Sequence, residues 1–190
     1  MICVPIIGPS VFKAQEQIAS ASAVADILEL RLDLIDAPDL NTLIDSANLP
    51  VIVTNRSKID GGQFKGPDED RLKQLREALK AGADYVDIEV STPREHLQPF
   101  LEEGDPSRTI ISYHNFSHTP EDFNPLYEAM CEMPGDIIKI VTYARDLEDN
   151  LKMFELLKID LFQDEIFVFT PNGDVHQLKK DATPIDFAFS

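Results

Sequence analysis

Lys139 stands in the middle of the apolar run Asp136-Ile137-Ile138-Lys139-Ile140-Val141-Thr142. The run is β-branched at most positions and is opened by Pro134-Gly135, which reads as a short strand. A lysine there has two uses. On an edge strand its ammonium points at water. Inside the fold, desolvation favours the neutral amine, which can attack a carbonyl carbon. His114 ends another apolar run, and an imidazole carries protons close to neutral pH. Arg31 and Arg56 sit near the ends of two more, and a guanidinium grips a carboxylate with two hydrogen bonds. Such a pair favours a small anionic substrate. Glu29, Asp87, Glu89 and His114 include metal-ligand types, but Lys139 and the two arginines would repel a cation among them. Neighbouring carboxylates hold Lys139 charged while burial and like charge discharge it, so the sign of its pKa shift stays open.

Those residues need elements that bring them together. Strand-like runs fall at Cys3 to Ile7, Ile27 to Leu34, Val51 to Arg56, Tyr85 to Val90 and Thr109 to His114. The Lys139 run is a sixth, Glu165 to Phe169 a seventh, and Pro184 to Phe189 an eighth at the terminus. Helical spacing marks Val11 to Ala23, Asp39 to Ala47, Asp68 to Ala81, Pro93 to Glu103 and Leu147 to Leu157. Thr119-Pro120-Glu121 has the N-cap, first-turn proline and early acid of a helix start. Strands alternating with helices at this spacing predict a parallel sheet with helical crossovers, either open or closed as a (β/α)8 barrel.

The strand faces favour the barrel. Glu29, Arg31 and Asp33 share one face of their run, with Leu28, Leu30 and Leu32 on the other. Asp87 and Glu89 alternate with Val86, Ile88 and Val90; Thr54 pairs with Arg56, and Ser112 with His114. Leucines must meet helices, so the charges point the other way, into a lumen where opposite signs neutralise. No G-x-G-x-x-G follows the first strand, as an open dinucleotide-binding sheet would require.

Composition bounds the rest. A length of 190 residues suits one domain, 1–190, and the net charge of −17 disfavours nucleic acid and anionic membranes as partners. Two unlike cysteines, Cys3 and Cys131, do not make a disulfide framework, and because Met1-Ile2-Cys3-Val4-Pro5 lacks a basic start no signal peptide is expected. No apolar run approaches a membrane span, so a cytoplasmic location is expected. His96, His118 and His176 lie in helical or loop stretches and are expected to be exposed.

Five stretches, in order, resemble the type I 3-dehydroquinate dehydratases, the Schiff-base enzymes of the shikimate pathway. They are Glu29-Leu30-Arg31-Leu32-Asp33; Thr54-Asn55-Arg56 with Asp60-Gly61-Gly62; Asp84-Tyr85-Val86-Asp87-Ile88-Glu89; Ser112-Tyr113-His114-Asn115-Phe116; and Asp136-Ile137-Ile138-Lys139-Ile140. The resemblance spans roughly residues 2 to 160. It implies a (β/α)8 TIM barrel, commonly a homodimer, that converts 3-dehydroquinate to 3-dehydroshikimate without metal or cofactor. It matches Lys139 to the imine-forming lysine and His114 to the general acid/base. Asp60 falls at the position of a glutamate that orients the histidine, and Glu29, Arg31 and Arg56 match residues that bind or frame the substrate.

The C-terminal part departs from that pattern. Thr170 to Lys180 holds no arginine where the family has one for the substrate carboxylate, although Lys179 or Lys180 could stand in. The closing loop and last helix have no counterpart before Ser190, so a barrel divergent after strand seven and a weakened activity are expected. The chain could also be the dehydratase part of a fused polypeptide. Two other readings stay open: a non-catalytic barrel binding a small polyol acid or a partner protein, and an imine-forming lyase of aldolase type.

Overall fold

The computed structural model describes residues 1–102, 106–159, 166–169 and 175–178. Strands and helices alternate: β1 (Cys3–Ile6), α1 (Val11–Ala21), β2 (Ile27–Arg31), α2 (Leu40–Asp45), β3 (Val51–Thr54), α3 (Asp68–Ala81) and β4 (Tyr85–Glu89). They continue with α4 (Arg94–Glu102), β5 (Thr109–Asn115), α5 (Asn124–Cys131), β6 (Ile137–Thr142) and α6 (Leu147–Ile159). The six strands are parallel and lie in chain order, each hydrogen-bonded to the next.

Local chemistry sets the helix ends. Ser10 caps α1 by accepting from the Lys13 amide, and Asp39 caps α2 by accepting from Thr42. In α3 the acids Asp68, Glu69 and Asp70 fill the first turn, and Lys80 sits in the last, each complementing the helix dipole. Gly82 ends α3 in the left-handed region at φ 107°, donating its amide to Ala78 and Leu79.

Alternation along the strands divides the apolar residues into two groups. Ile6, Leu28, Leu30, Val53, Val86, Ile88 and Ile111 face outward, fully buried against Ala14, Ile18, Leu43, Leu72, Leu75 and Phe100 of the helices. Burying each such aliphatic side chain is worth about 1.5–3 kcal/mol. A second, separate cluster holds Cys3, Ile27, Ile52 and Ile110, with Tyr85 and Ile137 against it. These six open the inward face of β1 to β6 and form an apolar floor. Above it stand Glu29, Thr54, Asp87, Ser112 and Lys139, one per strand from β2 to β6.

The sheet differs from a closed (β/α)8 barrel. Its described strands number six, and β1 and β6 remain its edges. The seventh strand, β7 (Ile166–Phe169), does not extend it. It pairs antiparallel with β8 (Val175–Leu178), a strand the sequence reading does not place. The strand expected at Pro184 to Phe189, the Thr170 to Asp174 turn, and Lys179 and Lys180 lie outside the described residues.

Two further differences have local causes. β2 stops at Arg31, and Leu32–Leu34 form a 3-10 turn, because Asp33 folds back to bond the Arg31 side chain and the Arg56 amide. Thr119 does not start a helix. Its hydroxyl hydrogen-bonds with Thr142 Oγ1 and donates to the Tyr143 carbonyl, and α5 begins at Asn124 with Pro125 in its first turn.

Candidate active site

Curling of the sheet turns the polar layer into a cluster. Lys139, 8% exposed, donates to Glu29 Oε1 at 3.2 Å and to Asp87 Oδ2 at 3.1 Å. Glu29 Oε1 also accepts from Thr54 Oγ1 at 2.6 Å. Asp87 accepts from both ends of the Arg56 guanidinium, Nη1 at 2.8 Å and Nη2 at 3.0 Å, and from Ser112 Oγ at 2.6 Å. Arg56 Nη1 donates further to Ser112 Oγ at 2.8 Å and Glu89 Oε1 at 3.1 Å. Neutralisation across strands, argued from the polar faces, is the arrangement found.

At the mouth, the Asp33 carboxylate is fully buried and fully used. It accepts Nε and Nη2 of Arg31, both at 2.9 Å, the Arg56 amide at 3.2 Å and the Gln63 amide at 3.0 Å. Arg31, its side chain 22% exposed, is thereby fixed at the rim. The turn after Arg56 needs its glycines. Gly61 has φ 81°, and a Cβ on Gly62 would come within 2.1 Å of the Arg56 carbonyl oxygen.

His114 lies in the layer above Lys139 and on the neighbouring strand, since Ser112 is the register partner of Lys139. Its ring stacks on Phe116 at 5.9 Å, and its Nδ1 is buried without a hydrogen-bond partner among the described residues. Asp60 is buried, yet its Oδ2 accepts from Ser57 at 2.8 Å and Ser91 at 2.6 Å rather than from the imidazole. It ties the turn after β3 to the turn after β4. His118 is exposed, as the sequence predicts, whereas His96 is half-buried beside Glu69.

Electrostatics set the resting protonation. For Lys139, burial favours the neutral amine, but Glu29 and Asp87 outweigh it and hold the pKa above the ordinary lysine value. The sign left open by the sequence is therefore upward, and the resting group is an ammonium. Burial pushes Asp87 up, yet Arg56 and then Lys139 bring it well below the usual carboxylate range. Glu29 is lowered too, Lys139 prevailing over burial with help from Arg56. Burial, then Arg56, push His114 down to about 3, far from the ordinary imidazole value, so it is neutral near pH 7. Cys3 on the floor is pushed up to about 12 by burial and by Glu29, which leaves it an unreactive thiol. Among the described residues no group of three His, Cys, Asp or Glu side chains is placed to hold a metal ion, and no helix is long and apolar enough to cross a membrane.

Sequence reasoning missed Arg71. It lies on α3, 1% exposed, and reaches the Glu89 carboxylate. A signal was present: Arg71, Leu75 and Ala78 fall on one helix face, so the arginine occupies a position that should be apolar.

A curled parallel sheet thus sets a buried, carboxylate-paired lysine one layer below a neutral histidine on the adjacent strand, an amine and a proton carrier in one cluster. The family model for type I 3-dehydroquinase matches residues 2–159. A 3-dehydroquinate dehydratase of Methanothermobacter thermautotrophicus is 38% identical over 165 residues, which cover 84% of this chain and 73% of that protein. The bifunctional 3-dehydroquinate dehydratase/shikimate dehydrogenase of Arabidopsis thaliana is 34% identical over 82% of this chain and 27% of its own length. Among solved structures, the type I 3-dehydroquinate dehydratase of Clostridium difficile superposes with a TM-score of 0.70 at 23% identity, covering 80% of this chain and 67% of that one. The Aquifex aeolicus 3-dehydroquinate dehydratase gives 0.59 at 29% identity, covering 84% and 73%. The chain belongs to the type I 3-dehydroquinase family.

Proposed function

We propose that the chain is a carbon–oxygen lyase that dehydrates 3-dehydroquinate to 3-dehydroshikimate through an imine on Lys139. The observation that carries this is the placement of Lys139, buried between Glu29 and Asp87 and one layer below a neutral His114 on the adjacent strand. Membership of the type I family and relatives named 3-dehydroquinate dehydratase supply the substrate.

The resting ammonium must lose a proton before it can attack, and Glu29 and Asp87 are the hydrogen-bonded acceptors at hand. Nζ then adds to the ketone carbon, water leaves, and a cationic imine forms. Its charge replaces that of the ammonium, so the carboxylates that stabilised one stabilise the other. The imine makes the adjacent C–H acidic. His114, neutral and raised above Lys139, takes that proton and returns it to the departing hydroxyl, which leaves as water. Hydrolysis of the conjugated imine frees the enone and regenerates the amine. Arg31 at the rim meets the substrate's negative charge, and Arg56 fixes Asp87 beneath Lys139. With this function go a TIM-type barrel divergent after strand seven, a homodimer, and a cytoplasmic place in aromatic amino acid biosynthesis.

The test is turnover of 3-dehydroquinate by this 190-residue chain, followed through the ultraviolet absorbance of the enone product. Growth of that absorbance above the uncatalysed rate supports the reading, and tight binding with no growth overturns it in favour of a binding-only barrel.

A further inference from the structure

Burying an arginine within a helix face is costly unless every donor finds a partner. Arg71 on α3 meets that condition outside the lumen. Its Nε donates to Asp68 Oδ1 at 2.9 Å, Nη2 to Thr92 Oγ1 at 2.8 Å, and Nη1 to Glu89 Oε2. The second oxygen of Glu89 faces the site, accepting from Arg56 Nη1 at 3.1 Å and from the Ser57 amide at 3.2 Å. Glu89 thus joins two guanidinium groups, one from the end of β3 and one from helix α3. The charges then alternate from the helix to the amine: Arg71, Glu89, Arg56, Asp87, Lys139.

We propose that Arg71 is a positioning residue: by holding Glu89 from the helix side it keeps Arg56 turned onto Asp87 beneath Lys139. Glu89 is faced by Arg56 and Ser57 from the end of β3, by Arg71 from α3, and by Asp87 from its own strand. Burial holds its carboxyl above the ordinary glutamate value even with both arginines present. Without Arg71, two buried carboxylates share one guanidinium. Glu89 then takes up a proton, loses its hold on Arg56, and the support under Asp87 loosens. A helix brace alone would give none of this pH dependence.

The kinetic part rests on the dehydratase reading; the titration does not. Arg71→Met should lower kcat about tenfold to 100-fold, the scale of a small misplacement at a reacting centre, with little change in KM. The loss should be deeper at pH 6 than at pH 8, because lower pH protonates Glu89. Arg71→Lys should recover part of the rate, and Arg71→Met with Glu89→Gln should be no slower than the product of the single losses. In the ligand-free protein, carbon-13 NMR of the glutamate carboxyls should show Glu89 titrating at higher pH in Arg71→Met, or in Arg71→Lys if the methionine variant does not fold. A loss of rate equal at both pH values, or an unshifted Glu89 titration, would overturn the proposal. Should the wild-type chain not turn over 3-dehydroquinate, the proposed function fails and the titration alone decides the role of Arg71.

Discussion

Lys139 Nζ lies 3.2 Å from Glu29 Oε1, although their strands, β6 and β2, are four places apart in the sheet. In a flat sheet four spacings amount to about 19 Å, beyond the joint reach of the two side chains. The contact therefore reports the curl of the sheet, and it also sets the charge of the amine. Shape and electrostatics are coupled in one pair.

That coupling predicts the behaviour of Glu29→Gln. Removing the carboxylate takes away the largest influence raising the Lys139 pKa and leaves Asp87 as the main counter-charge. The Lys139 titration, followed by carbon-13 NMR of its Cε, should move to lower pH. Stability should fall by about 3 kcal/mol or less, since Asp87 still neutralises the ammonium. An unmoved titration would mean that the pair does not govern the amine.

His114 makes a pH prediction of definite sign. Its folded pKa of about 3 lies below the ordinary value of 6.5, so the folded state holds fewer protons between the two. Stability is complete above about pH 6.5 and is lost as pH falls toward 3. His114→Asn removes that contribution but keeps the acid loss due to Asp87 and Glu29, whose carboxyls are also lowered. Unfolding free energies from urea titrations at pH 7 and pH 5 should differ less in the variant, by about 1 kcal/mol for a partly solvated ring. Equal pH slopes in the two proteins would contradict the burial of the imidazole.

Gly62→Ala tests the turn that carries Arg56. The new methyl would meet the Arg56 carbonyl at 2.1 Å, so the turn must move. Overpacking of this kind costs about 1–3 kcal/mol. Because Asp33 holds the Arg56 and Gln63 amides across the same turn, turnover should fall together with the melting temperature. A variant as stable and as fast as the wild type would show that the close approach is relieved at no cost.

Much of this architecture is legible in alternation. Leu28 and Leu30 against Glu29 and Arg31 separate helix-facing from lumen-facing residues, and the structure keeps that division on every strand of the sheet. Helix α3 falls on Asp68–Ala81 as its spacing predicts, because acids at its start and Gly82 at its end agree with its apolar period. Three features stayed hidden for physical reasons. Thr119 has the local chemistry of a cap, but a tertiary partner, Thr142, claims its hydroxyl. The Lys139 shift is a balance of burial against two carboxylates, and its sign depends on distances that no sequence states. Arg71 stands out in the sequence only as a charge on the apolar face of its helix, and its partner Glu89 is visible only once the helix is packed on the strand.

The most direct test of the central claim is reductive trapping. The wild-type chain is mixed with 3-dehydroquinate and sodium borohydride, digested, and its peptides are weighed. The imine reading predicts a reduced substrate adduct on the peptide carrying Lys139 and no adduct in Lys139→Met. Turnover of the substrate with Lys139 left unmodified under saturating conditions would contradict it.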